Sequence, residues 1–139
     1  MCEYSFNNNV PLLSTISFKK LNRNEEIYLN RLRVDLLLKG HLYAHNFRTI
    51  QTPLCNHCNK NVTTKHFLVQ CNDPGHKLKL AELHDVINDI GVLEHFINLN
   101  IPEKCMFLLF GDKFLYSHET NENLLHEVAK FIIFNCDTL

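Results

Sequence analysis

Seventeen consecutive residues carry the spacing of a metal site. Cys55-x2-Cys58-x7-His66-x4-Cys71, between Pro53 and Pro74-Gly75, spans three of the chain's six cysteines and two of its nine histidines, His57 and His66. Structural zinc takes four Cys or His ligands tetrahedrally, and a Cys-x2-Cys turn offers two thiolates from one tight knuckle. The seven residues that follow suffice for a turn and a helix start capped by Thr63 or Thr64, with His66 in the first turn. On a continuous helix His66 and Cys71 would diverge by about 140°. The spacing therefore predicts that the helix unwinds before Cys71, with Asn72-Asp73-Pro74 as the means. Phe67, Leu68 and Val69 then tie the module to a core. Three thiolates and one imidazole leave no open position for water, so the metal reads as structural rather than catalytic. Two rivals stand beside this reading. One is a set of buried thiols with an incidental histidine. The other is a redox Cys-x2-Cys pair, whose usual βαβ context is not evident. His57, inside the knuckle, reads as exposed, and Cys105 and Cys136 as core residues.

The rest of the chain is predicted to be mainly α-helical, a small helical domain built around this one CCHC zinc module (residues 53–75). Residues 1–21, rich in Asn and Ser, read as a flexible N-terminal arm, and residues 22–139 as a single zinc-binding domain. Asn22 and Glu25 form a capping-box pattern. From there Ile27, Tyr28, Leu32, Leu36 and Leu37 recur at helical spacing, with Gly40 as the stop. "HLYAHNFRT" reads as a second short helix, and Pro74-Gly75 as a turn closing the metal segment. Leu80, Leu83, Ile87 and Ile90 predict a helix over 77–89, ending at Gly91. Pro102 opens another that Gly111 ends. Asn121 is the expected cap of the last helix, whose Leu124, Leu125, Val128, Phe131 and Ile132 form one stripe.

Composition narrows the function classes. With 45% apolar and 21% charged residues, the chain reads as globular. It has no apolar run of the roughly eighteen residues that a membrane span requires. No secretory signal pattern opens the sequence, so an intracellular, reducing compartment is expected, where cysteines serve as ligands or core residues. The net charge of −1 hides an asymmetry: residues 1–80 balance at +6 and residues 81–139 at −7. An anionic partner would meet the first half, and a protein partner would suit the acidic second half. Glycine-rich phosphate loops, Gly-x-Ser-x-Gly and His-Glu-x-x-His are all missing, and the remaining histidines are scattered. No enzymatic activity is expected.

"RLR" at 31–33, "GHLYAHNF" at 40–47, "PLCNHC" at 53–58 and "TTKHFLVQC" at 63–71 together resemble one family. It is the zinc-binding region at the C-terminal end of jockey-type non-LTR retrotransposon reverse transcriptases. The likeness covers about residues 29–75 and is weaker afterwards. It implies Cys55, Cys58, His66 and Cys71 as zinc ligands and a role in engaging RNA or DNA. It implies no polymerase or nuclease activity, because the carboxylate motifs of those domains have no counterpart here. On that reading Arg31, Arg33, Lys39, Arg48, Lys60 and Lys65 contact phosphates, weakly and without regard to sequence. Tyr43 or Phe47 would stack on unpaired bases, although core packing is the commoner fate of such residues. The alternative is a structural zinc domain that mediates protein–protein interaction.

Overall fold

The structure is a computed structural model that describes residues 21–47, 50–137 and 139. The arm expected at 1–21 therefore lies outside the described residues except for Leu21, as do Cys2 and Arg48. Among the described residues there are six α-helices, one π-helical turn and no strand beyond an isolated antiparallel bridge between Leu54 and Asn61. The mainly helical fold class holds.

The longest helix, α6 (His118–Asn135), is the centre of the packing and touches α1 (Arg23–Arg33), α3 (Pro74–Ile90) and α5 (Ile101–Phe110). The cause is its composition. Leu124, Leu125, Val128, Ala129, Phe131 and Ile132 are all buried, a stripe broad enough to serve several neighbours at once. The expected capping box at α1 forms, with the Glu25 N–H donating to Asn22 Oδ1 at 2.8 Å and the Asn22 N–H to Glu25 Oε1 at 3.0 Å. Glu25 is buried, and its Oε1 also lies 3.1 Å from His126 Nδ1, which ties the start of α1 to α6.

Several boundaries differ from the sequence reading. α1 stops at Arg33, so Leu36 and Leu37 lie beyond it, and Asp35 takes a left-handed φ of 58° that no helix continues through. Gly40 is not a stop. It sits inside α2 (Lys39–Ala44), where its N–H donates to the Val62 carbonyl at 3.1 Å. Pro74-Gly75 is not a closing turn: Asp73 caps α3 and Pro74 occupies its first turn, a place where a missing N–H costs nothing. A short α4 (Leu93–Ile97) intervenes before α5, which Asn100 caps. Ser117, rather than Asn121, caps α6. Asn121 is buried one turn further on, where it accepts from the Asp112 N–H and donates to the carbonyls of Asp112 and Tyr116. It holds the loop before α6, a tertiary use of a residue whose sequence preference is for helix starts.

Gly40 carries the first prediction. A Cβ at this position would lie 2.5 Å from the Val62 carbonyl oxygen, which is main chain and cannot rotate away. Gly40→Ala should therefore destabilise the protein by about 1–3 kcal/mol despite alanine's better helix propensity. Denaturant melts of the metal-loaded protein will check this, and a neutral or stabilised variant would mean that α2 does not dock on the metal loop.

Candidate metal centre

Main-chain hydrogen bonds shape the first half of the site. Val62 N–H donates to Pro53 O at 2.9 Å, Cys55 N–H to Lys60 O at 2.8 Å and Asn59 N–H to Cys55 O at 3.0 Å. Together they fold residues 53–62 into a tight hairpin whose tip is the Cys55–Cys58 knuckle. Asn59 turns the chain with a φ of 55°, a conformation that Asn tolerates better than most side chains.

The second half solves the angular mismatch differently from the sequence expectation. Thr63, the first of the two expected caps, accepts from the His66 N–H at 3.4 Å through its hydroxyl and from the Phe67 N–H at 2.8 Å through its carbonyl. The chain then widens instead of unwinding. His66–Gln70 is a π-turn, closed by the Cys71 N–H donating to His66 O at 2.9 Å, a bond that spans five residues. One wide turn brings residue 71 back over residue 66, where an α-turn would overshoot. Cys71 itself leaves the helix with extended backbone (φ −66°, ψ 132°).

The result is one cluster. Ligand atoms of Cys55, Cys58, His66 and Cys71 all lie within 4.8 Å of one another. Cys71 Sγ is 3.8 Å from Cys55 Sγ and 3.9 Å from Cys58 Sγ. Two thiolates bound to one tetrahedral zinc at about 2.3 Å stand about 3.8 Å apart. His66 is buried, and its Nε2 finds no hydrogen-bond partner among the described residues. An orphaned imidazole nitrogen beside three sulfurs at this spacing fits a metal ion such as zinc. Four protein ligands complete a tetrahedral shell, so the arrangement can hold an ion but offers it no open coordination position.

The surroundings favour the ligand forms unequally. Burial raises the Cys55 thiol, but the main-chain N–H groups of Cys58 and His57 and the neighbouring thiols outweigh it, leaving Cys55 below its ordinary value. Cys71 is pushed up to about 12, chiefly by burial and further by the Cys55 sulfur beside it. Burial, with smaller contributions from His76 and Lys60, holds His66 below the usual histidine range, in the neutral form that binds a metal. Outer contacts complete the shell: the Asn72 N–H reaches Cys58 Sγ at 3.2 Å and the Asp73 N–H reaches Cys71 Sγ at 3.4 Å. Such donors to the sulfurs orient them and offset part of their negative charge.

His76 is a supporting residue that the sequence reading passed over. It is buried, with Nε2 2.6 Å from the Phe67 carbonyl, so the ring donates to the main chain of the π-turn. Its ring also lies 5.1 Å from that of Phe67 and 5.6 Å from that of Phe131. The signal available in the sequence was Asp73-Pro74, a cap followed by an N1 proline, which places His76 in the first turn of a helix.

The six cations singled out for phosphate contact are placed as follows. Lys60 and Lys65 are exposed on the metal loop and at the start of its helical turn, and Arg31 is half-buried on α1. Arg33 turns inward. Its Nε donates to Leu109 O at 2.7 Å, its Nη1 to Asn30 Oδ1 at 2.9 Å, and its guanidinium lies 4.7 Å from the centre of the Phe110 ring. Burial, against the opposing field of Glu26, pushes it down to about 10. The Lys39 ammonium donates to the main-chain oxygen of Leu139. Arg48 lies outside the described residues. His57 is exposed, and Cys105 and Cys136 are half-buried with thiols raised above their ordinary value, mainly by burial. No helix among the described residues is long and apolar enough to cross a membrane. No protein-family model, curated protein or solved structure matches this chain.

Proposed function

We propose that the chain is a non-catalytic nucleic-acid-binding module whose residues 53–75 are held in shape by a structural zinc ion. The observation that carries the reading is the exposure of two aromatic rings at the end of the helix that docks on the metal loop. Tyr43 and Phe47 are 46% and 40% exposed, at and just beyond the end of α2, the helix that Gly40 docks on Val62. Core packing is the commoner fate of such rings; exposed instead, they suit stacking on unpaired bases, while the exposed Lys60 and Lys65 of the metal loop supply phosphate contacts. The likeness of residues 29–75 to the tail of jockey-type reverse transcriptases points the same way. Three thiolates and an imidazole give the zinc a scaffold role, with no position for a substrate or a reactive water.

With Arg33 turned inward, roughly two to four phosphate contacts remain, which gives a slope of log affinity against log salt of about −1.5 to −3 for single strands. Zinc-loaded protein titrated against single-stranded RNA and duplex DNA at two salt concentrations tests this. Single strands of any sequence should bind better than duplex, and Tyr43→Ala with Phe47→Ala should remove that preference without displacing zinc. Lys60→Ala with Lys65→Ala should flatten the slope by about one to one and a half units. No salt-sensitive binding at about 50 µM protein, within the usual range of non-specific affinities, would overturn the reading.

A second reading, a zinc-stabilised protein-interaction domain, draws on the acidic half of the chain. Phe114 there is 92% exposed, on a loop beside Lys113.

A further inference from the structure

Thiolates that hold a structural metal stay nucleophilic at sulfur, and this fold shields its three unequally. Cys55, Cys71 and His66 are 1%, 2% and 3% exposed, whereas Cys58 is only half-buried. His57 and Asn59 flank Cys58 in the chain, and Asn72 donates its N–H to the Cys58 sulfur at 3.2 Å; all three residues are exposed. A small solute arriving from water therefore meets the Cys58 sulfur before the other two. A partner for a second step is already in place. Cys71 Sγ lies 3.9 Å from Cys58 Sγ, with the Asp73 N–H at 3.4 Å as its main-chain donor. Cys55 Sγ is faced by two such donors, the N–H groups of His57 and Cys58. Donors of this kind occupy sulfur lone pairs and make Cys55 the weaker nucleophile.

We infer that Cys58 is an oxidation site, and that hydrogen peroxide converts the centre from its metal-bound form to a Cys58–Cys71 disulfide form. The inference rests on the metal reading and adds its regulation. In the first step the Cys58 thiolate attacks a peroxide oxygen. The O–O bond breaks, hydroxide leaves, and Cys58 becomes a sulfenic acid. In the second step the Cys71 thiolate attacks the Cys58 sulfur, the S–O bond breaks and a second hydroxide leaves. Two electrons have then passed from the pair of sulfurs to one peroxide. The sulfurs close from 3.9 Å to the roughly 2.0 Å of a disulfide. Cys55 and His66 alone do not fill a tetrahedral shell, so the ion is released. Cys58 belongs to the hairpin and Cys71 to the end of the π-turn. The new bond therefore keeps joined the two halves that the ion had joined, whereas a Cys55–Cys58 bond within the knuckle would let them part.

Treating the zinc-loaded full chain with hydrogen peroxide tests the inference, with a chromogenic chelator reporting free zinc and dimedone trapping sulfenic acid. Zinc should be released as peroxide is consumed, and dimedone should label Cys58 several-fold more than Cys55 or Cys71. Peptide mapping without reductant should find Cys58 bonded to Cys71. Amide exchange across residues 53–75 should be slower in the oxidised chain than in reduced chain stripped of metal by a chelator. Dithiothreitol with added zinc should restore the starting form. Cys105→Ser with Cys136→Ser should alter none of these results, because neither residue belongs to the cluster. Label chiefly on Cys55 or Cys71, a mapped Cys55–Cys58 or Cys55–Cys71 bond, or exchange as fast as in the stripped chain would overturn the inference. So would zinc retained and thiols still reduced in peroxide that oxidises free cysteine. A chain that holds no zinc before peroxide is added would instead overturn the metal assignment, and this inference with it. None of these readouts depends on nucleic-acid binding.

Discussion

Replacing His66 with Ala, or Cys58 with Ser, is expected to abolish stoichiometric zinc binding and to unravel residues 53–75. The hairpin tip and the π-turn meet through their ligand atoms, within 4.8 Å across all four. Removing one ligand leaves three groups around an ion open to water, and the coupling between the halves falls with it. Structural zinc in small peptides contributes about 10–16 kcal/mol near pH 7, so even part of that is comparable to the whole stability of a domain. Elemental analysis should give one zinc per parent chain and none per variant after dialysis against a chelator. Amide exchange should lose protection through 53–75 first, whereas the buried stripe of α6 persists longer. The pH dependence follows from the thiols. With no metal bound, Cys71 keeps its proton until about pH 12, so zinc must displace that proton on entering. Binding therefore releases protons and weakens as pH falls. Full zinc content and an unchanged melt in either variant would refute the metal assignment.

Phe67→Ala is expected to be nearly as damaging, by a different route. Phe67 is completely buried, its ring 5.3 Å from that of Phe131 on α6 and 5.1 Å from that of His76 on α3. It follows ligand His66 directly, so it is the side chain that fastens the metal-bearing turn to the helices. A phenylalanine truncated in a closed core costs about 3–5 kcal/mol, because the cavity refills only in part. For a chain of this size that lowers the melting temperature by about 10–20 °C. The metal should become easier to extract as well, since the π-turn loses its anchor while keeping both ligands. A melting temperature within about 2 °C of the parent would show that the turn stands without the core.

Much of the candidate site is legible in the sequence alone. The ligand set follows from residue chemistry and spacing: two thiolates three positions apart close a knuckle, and a second pair can return from a helix start. The capping box at Asn22, the Pro102 and Gly111 bounds of α5 and the α6 stripe are legible too, because each depends on residues within one or two turns. The same local logic fails wherever a distant atom decides. Gly40 has the sequence signature of a helix stop, yet it stands within α2 because the Val62 carbonyl, twenty-two residues on, leaves no room for a Cβ. Asn121 suits a helix cap, but its amide is better satisfied by the loop at Asp112 and Tyr116.

Arg33, His76 and the π-turn divide the two kinds of information most clearly. Composition made Arg33 a candidate phosphate ligand; the Leu109 carbonyl and the Phe110 ring, brought close only by the packing of α1 on α5, turn it inward. No periodicity distinguishes His76 from the other scattered histidines until α3 folds back to place its ring under the Phe67 carbonyl. By itself, then, the sequence determined which four atoms would meet and that helices would surround them, because ligand chemistry and apolar periodicity are local properties. The tertiary structure decided how they meet. A separation of five positions from His66 to Cys71 does not close an α-turn, and the chain could either unwind or widen. It widened because burial of Phe67 and Leu68 against the helical core keeps the turn's main chain hydrogen-bonded away from water.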